Sequence, residues 1–323
     1  MALSACTPRV ASIGPINASP QLLDGKFVTS DGLSLPVRSW LPDKDPTGII
    51  LAVHGFNDYS KSFEAVPGLP GAGPALAAKG YAVISYDQRG FGEAPNFGLW
   101  AGRDVLARDF ADFIRLLDQA YPNLPVYAVG VSMGAAVITV AMTASDSPPA
   151  DAIVLVAPAV WSRSTMPLLY RASLWLGAHI FPTARPSGRG LGRQASDNIE
   201  MLRAAASDPL FIKNTRIDSI YGLTNLMDQA QQNIGGLSVP TLYLYGANDH
   251  IVPKNATIRA GEKFLGNTNM RRLAFYEQGW HMMLRDLQAE TVLADIAAYF
   301  ENPAAPLPSG SDTDAWVRLK ALE

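Results

Sequence analysis

Five residues at the ends of apolar runs carry the chemistry open to this chain: His54, Asp87, Ser132, Asp249 and His281. A serine hydroxyl is a poor nucleophile at neutral pH. It needs a base within hydrogen-bond reach, and the base needs a carboxylate to orient it. Ser132 lies in Gly130-Val131-Ser132-Met133-Gly134, between a valine-rich run, Val126 to Val131, and an alanine-rich one, Ala135 to Thr143. The first is too short for a helix and reads as a buried parallel strand; the second reads as a helix packed on it. A strand that turns sharply into a helix forces its middle residue into a strained conformation, and flanking glycines remove the Cβ clashes that would forbid the turn. Ser132 Oγ would then stand at the positive end of the helix, with the Met133 N–H beside it.

The base and the carboxylate lie downstream. The histidines are His54, His179, His250 and His281. His179 falls in an apolar stretch, and His250 follows Asp249 too closely to receive that carboxylate across a loop. His281, after the last apolar run, is the base candidate, and Asp249 is its partner. Each has a plainer use: Asp249 as a turn-former in Gly-Ala-Asn-Asp, His281 as a buried hydrogen-bonded imidazole. Their joint order with Ser132 favours catalysis, specifically acyl transfer through a covalent serine intermediate. In His54-Gly55-Phe56, the Phe56 N–H would join the Met133 N–H in an oxyanion hole; losing one such donor typically costs ~3 kcal/mol of transition-state stabilisation. His54 reads as a brace for this loop, Asp87-Gln88-Arg89-Gly90 as a structural turn, and Asp58 as a residue within reach of substrate.

These residues must be positioned by alternating strands and helices. Short apolar runs recur at Gly48 to Val53, Tyr81 to Tyr86, Val126 to Val131, Ala152 to Val156, Pro240 to Tyr245 and Arg271 to Tyr276. Helical patterns lie between most of them, the clearest at Arg103 to Ala120. A hairpin around Asp31-Gly32 opens the series. This alternation predicts an α/β chain with a mostly parallel central sheet and helices on both faces. In such sheets ligands bind at the carboxyl ends of the strands, where all five residues fall. The alternation stops between 160 and 236, where apolar helical stretches at Met166 to Phe181 and Ile217 to Met227 predict a helical cap insertion.

Composition bounds the rest. The chain has 323 residues, 48% hydrophobic and 17% charged, with a net charge of −3. No basic block suggests nucleic acid, no apolar run reaches membrane-spanning length, and no Cys/His cluster has metal-binding spacing, so no metal is expected. Cys6 is the lone cysteine. Leu3-Ser4-Ala5-Cys6 is similar to a bacterial lipobox, and residues 1–25 read as a tether following it. On that reading the native protein is an envelope lipoprotein held to a membrane through Cys6, with a cytoplasmic protein as the alternative. The chain at hand, lacking an apolar signal segment, is expected to be soluble and unlipidated. Leu322-Glu323 has the look of a cloning remnant, residues 302–323 read as a C-terminal tail, and its Pro/Ser-rich part, Asn302 to Asp314, as loose.

The motifs VHGF (53–56), YDQRGFG (86–92), GVSMG (130–134), LYGANDHIVP (244–253) and GWHMML (279–284) together resemble the α/β-hydrolase superfamily, and more narrowly its monoacylglycerol lipase and lysophospholipase branch. The cap residues Ser207-Asp208-Pro209-Leu210 and Arg216 are similar to that branch as well. The resemblance implies the α/β-hydrolase fold, with a core formed by 26–159 and 237–301 and a cap formed by 160–236. It implies Ser132 as nucleophile, Asp249 as acid, His281 as base, Phe56 and Met133 as oxyanion donors, and no cofactor. One departure is Glu93-Ala94-Pro95 after Gly92, where the family usually carries a serine.

The expected substrate is a small-molecule carboxylic ester, such as a monoacylglycerol, a lysophospholipid or a similar lipid-like ester. Trp175, Leu176, Leu223, Leu226 and Met227 are candidates to line an acyl channel, the plainer alternative being that they pack the cap onto the core. A carboxylesterase for small or bulky esters, or an acyltransferase, would use the same residues. An aminopeptidase would add acidic residues in the cap to hold an amine, for which Asp197 and Glu200 are candidates. A non-catalytic binding protein would normally lack part of the constellation. Ser132 excludes chemistry that needs a carboxylate nucleophile.

Overall fold

The computed structural model describes residues 7–66, 68–186, 192–266 and 268–322; Cys6 and the lipobox-like residues before it lie outside them. Among the described residues nine strands form one sheet: β1 (Gln21–Leu23), β2 (Lys26–Val28), β3 (Ser34–Trp40), β4 (Gly48–Val53), β5 (Tyr81–Tyr86), β6 (Val126–Val131), β7 (Ala152–Val156), β8 (Thr241–Gly246) and β9 (Arg271–Tyr276). Their spatial order is β1-β2-β3-β5-β4-β6-β7-β8-β9. The β1–β2, β2–β3 and β3–β5 pairs are antiparallel, and every pair from β5 to β9 is parallel. The helices are α1 (Ala72–Ala77), α2 (Arg103–Ala120), α3 (Met133–Met142), α4 (Leu168–Ile180), α5 (Ile199–Ser207), α6 (Ile217–Asn233), α7 (Lys254–Leu265), α8 (Ala289–Glu301) and α9 (Ala315–Lys320).

The central strands are apolar on both sides because both sides are covered. In β4, Ile49, Leu51 and Val53 enter the core under α2, α3 and α7, while Ile50 and Ala52 enter the one under α1 and α8. The β4–β6 register places Val53 opposite Gly130. The loop leaving β4 therefore emerges beside the turn at Ser132.

Three stretches differ from the sequence expectation. Residues 21–23 are not tether: they form β1, which closes a tight hairpin with β2 around Gly25, at φ 66°. Residues 302–322 are not loose. Leu307 and Leu319 are buried, and the Ser311 carbonyl accepts from the Phe275 N–H at 2.8 Å along the free edge of β9. The insert between β7 and β8 is only partly a cap. The carboxyl half of α6 lies against α3, with Leu226, Ala230 and, just past its end, Ile234 fully buried in the core. No helix of the described residues is long and apolar enough to cross a membrane.

A buried ion network ties the opening hairpin to this core. Arg89, in the turn after β5, donates to both oxygens of Asp31 at 2.8 and 2.5 Å and to both oxygens of Asp109 on α2 at 2.6 and 2.9 Å. The Arg89 hydrogen bonds hold Asp31 well below the usual carboxylate range, whereas burial pushes Asp109 up to about 6. Removing the shared cation strands two carboxylates, one of them fully buried. Arg89→Ala is therefore expected to lower unfolding free energy by about 3–5 kcal/mol, read as a drop in the urea midpoint at unchanged slope. A loss below about 1 kcal/mol would show that water replaces the guanidinium.

Candidate active site

The turn from β6 into α3 holds Ser132 at φ 52° and ψ −111°, a left-handed conformation rarely adopted by a residue with a side chain. The neighbouring glycines permit it through close approach. A Cβ on Gly130 would stand 2.6 Å from the Ala135 nitrogen, and one on Gly134 would collide with the Val53 carbonyl. The main chain of Ser132 is pinned from the next strand: its N–H donates to Val156 O at 2.9 Å, and its carbonyl accepts from Ala159 N at 3.0 Å.

The loop after β4 crosses directly above. A Cβ on Gly55 would stand 3.4 Å from Ser132 Cβ. Met133 opens α3, where the first N–H groups have no intrahelical acceptor. The Phe56 N–H has no acceptor among the described residues. Phe56 lines the same cavity as Ser132. His54 fixes this loop: it is buried, its Nδ1–H donates to Gly55 O at 2.8 Å, and its Nε2 accepts from Gln88 N at 2.9 Å. Burial lowers its pKa, and both ring nitrogens are occupied, so it is a brace. Asp87 is likewise structural, accepting from the N–H groups of Ser60 and Glu93 at 2.9 and 2.8 Å.

Asp249 and His281 meet at the far end of the sheet. The Nδ1 of His281 lies 2.8 Å from Asp249 Oδ2. Asp249 Oδ1 accepts from the N–H groups of Ile251 and Val252 at 2.7 and 2.9 Å, which fixes the carboxylate plane. Both side chains are buried. With Nδ1–H committed to Asp249, Nε2 is left as the accepting nitrogen. Ser132 and His281 line one cavity of about 880 Å³.

Its walls are largely apolar. Met166, Tyr170 and Leu174 contribute from α4 and the segment before it, and Ile220, Leu223 and Met227 from α6. The acyl-channel candidates divide. Leu223 and Met227 line the cavity. Leu226 points the other way, into the core against α3. Trp175 and Leu176 are 54% and 52% exposed on the outer side of α4 and lie outside the lining. A helix with apolar residues all round does not reveal its inner face by composition.

One wall is polar and was only half visible in the sequence. Asp58 forms an ion pair with Arg285, and both line the cavity. Arg285 follows the GWHMML stretch with no signal of its own; only the folding of that loop onto the β4 loop brings the two together. The insert between β7 and β8 is fastened to the same loop. Asn57 Nδ2 donates to Thr215 Oγ1 at 2.8 Å, Ile212 N donates to Asn57 O at 2.9 Å, and Tyr59 Oη donates to Asp208 at 2.7 Å. Neither Asp197 nor Glu200 reaches the cavity: Asp197 accepts from Leu287 N, and Glu200 pairs with Arg203 on exposed α5. No group of three or more His, Cys, Asp or Glu side chains among the described residues could hold a metal ion.

Comparison with known proteins points the same way. The family model described as serine aminopeptidase, S33, matches residues 44–288. The chain is 25% identical over 273 residues to human monoglyceride lipase, covering 82% of this chain and 85% of that one. It is 24% identical to the monoacylglycerol lipase of Mycolicibacterium smegmatis, covering 84% and 95%. Among solved structures, the monoacylglycerol lipase of Paleococcus ferrophilus superposes with a TM-score of 0.62 at 19% identity, over 82% of this chain and 97% of that one. The fold is thus the α/β-hydrolase fold.

The His281 loop is anchored by Asp286, which is fully buried. Its carboxylate accepts from Ser196 Oγ at 2.6 Å and from Trp280 N at 2.8 Å, joining the end of the α4–α5 segment to the residue before His281. Burial raises its pKa from 3.8 to about 6. A raised carboxyl contributes stability that is fully present below its ordinary pKa and lost as pH rises through its folded one. Asp286→Asn, which cannot ionise, is expected to gain on the wild type between about pH 4 and pH 7, by on the order of 2 kcal/mol. Thermal melts across that range check it; a variant difference independent of pH would show that Asp286 stays ionised at no cost.

Proposed function

The chain belongs to the serine aminopeptidase S33 family of α/β-hydrolases, and from that membership we propose that it is a serine hydrolase acting on carboxylic esters with an apolar acyl chain. Monoacylglycerols, lysophospholipids and similar lipid-like esters are the substrate class proposed. The observation that carries the reading is the cavity of about 880 Å³, with Ser132 and His281 on its floor and Met166, Leu174, Leu223 and Met227 in its walls.

In the proposed reaction Ser132 Oγ attacks the ester carbonyl while His281 Nε2 takes its proton. The developing oxyanion is held by the N–H groups of Phe56 and Met133, which need no reorganisation because the backbone fixes them. Asp249 keeps the imidazole in the productive tautomer and stabilises its charged form. His281 then protonates the leaving alcohol. Water, deprotonated by the same imidazole, releases the acid and regenerates the serine.

A free amine would need an unpaired acid in the cavity. Asp58, the acidic residue on the cavity wall, is already neutralised by Arg285, so the ester reading is favoured over an aminopeptidase. An acyltransferase would share the first half-reaction and differ in excluding water from the second.

Hydrolysis of p-nitrophenyl esters from acetate to palmitate tests the reading. The wild type is expected to prefer medium or long chains, and Ser132→Ala to lose roughly 10⁵-fold in kcat. Release of free acid, rather than transfer to an added alcohol, would separate hydrolase from acyltransferase. An optimum at acetate would overturn the acyl-chain assignment. Leu223→Trp, which fills the cavity from α6, is expected to shift the optimum to shorter chains by several carbons; an unchanged profile would place the acyl chain elsewhere.

A further inference from the structure

The cavity above Ser132 carries an unbalanced positive charge. Besides His281, its charged lining residues are Asp58, Arg285 and Arg193. Asp58 and Arg285 neutralise one another. Arg193 forms no ion pair among the described residues. It is exposed as well as cavity-lining, so it stands at the rim.

Arg193 is held there by aromatic side chains. Its guanidinium lies over the Trp161 ring, 5.3 Å from the centroid, and Trp161 also lines the cavity. The Trp161 ring leans in turn on Tyr170, with centroids 6.1 Å apart and planes inclined at 56°. Stacking covers a face of the guanidinium and leaves its N–H edge for an acceptor. A side chain already ordered in this way loses less freedom when it binds. The acceptors that match a guanidinium edge are carboxylate and phosphate oxygens, two at a time.

The charge of the surrounding chain acts in the same direction. Residues 152–196 contain five arginines and no aspartate or glutamate, in a chain whose net charge is −3. This stretch supplies the cavity wall from Ala159 to Ala195. The mouth is thus positive on a molecule that is negative as a whole, and such a field draws anions to it. An ammonium head group would meet the same cation at a cost.

We propose that Arg193, stacked on Trp161, is the head-group residue of the cavity and selects esters whose alcohol portion carries an anion, a phosphate or a carboxylate. The proposal rests on the reading of the cavity as an acyl-ester site. With the acyl chain against Met166, Leu223 and Met227, the alcohol portion is what remains to reach the rim.

Three octanoyl esters of matched length test it: those of butane-1,4-diol, of butane-1,4-diol monophosphate and of 4-hydroxybutanoate. The wild type is expected to show a kcat/KM about tenfold or more higher for at least one of the charged esters than for the neutral one, mainly through KM, with the ratio shrinking as salt rises. The charged ester that gains more identifies the anion. Arg193→Gln is expected to bring that ratio to within about twofold of one, and Arg193→Lys, which keeps the charge but not the planar fork, to leave it in between. Arg171→Gln removes the same charge outside the cavity lining and should leave the ratio at its wild-type value. Binding of octyl phosphate to Ser132→Ala, followed by calorimetry, gives a readout that needs no hydrolysis; adding Arg193→Gln is expected to weaken it about tenfold. Hydrolysis of all three esters with no charge preference, or with a preference that Arg193→Gln leaves intact, would overturn the proposal while the ester-hydrolase reading stands. Octyl phosphate binding that depends on Arg193, with none of the esters cleaved by a folded wild type, would support the anion site and count against the hydrolase reading instead.

Discussion

Gly134 lies so close to the end of β4 that any side chain there would occupy the space of the Val53 carbonyl. That approach lets α3 begin immediately after β6, and it leaves Ser132 no option but a left-handed backbone. The rest of the site follows from this contact. Because β4 and β6 are adjacent and in register, the loop leaving β4 must pass over the serine, which brings Gly55 against Ser132. Because β7 lies on the other side of β6, its end pins the main chain of Ser132. The strained conformation is held from three directions, and the parallel sheet, buried on both faces, is what makes it affordable.

A second consequence concerns the insert between β7 and β8. It is a hybrid, rooted in the core through α6 and free on its outer side through α4. Its polar fastenings converge on the β4 loop through Asn57, Tyr59 and Asp208, and on the His281 loop through Ser196 and Asp286. The same loops that carry the proposed oxyanion donor and base are therefore part of the insert's attachment. The cavity between the insert and Ser132 owes its apolar wall to the inward side of two helices.

The sheet was legible in the sequence because β-branched runs of five or six residues have few other uses in a chain of this composition. The turn at Ser132 was legible because two glycines bracket a polar residue at a strand–helix junction. The placement of Asp249 beside His281 followed from chain order and from the carboxyl-end rule. What escaped was set by tertiary context. The three-residue strand β1 is too short to carry a pattern, and α9 follows a Pro/Ser-rich stretch that masks its docking on β9. Arg285 meets Asp58 only through loop packing. Trp175 and Leu176 were expected inside because they are large and apolar, but α4 is apolar on both sides, and periodicity cannot say which side a cavity occupies. Leu226, one helical face away from Leu223 and Met227, went to the core for the same reason.

Covalent trapping of the nucleophile tests the central claim most directly. A series of alkyl fluorophosphonates of increasing chain length, followed by intact mass and peptide mapping, reports on both the serine and the cavity above it. The account predicts a single adduct on the peptide containing Ser132, formed with loss of fluoride, faster as the alkyl chain lengthens and absent when His281 is replaced by alanine. An adduct on another residue, or none in a folded sample, would contradict the assignment of Ser132 as the nucleophile of an acyl-binding site.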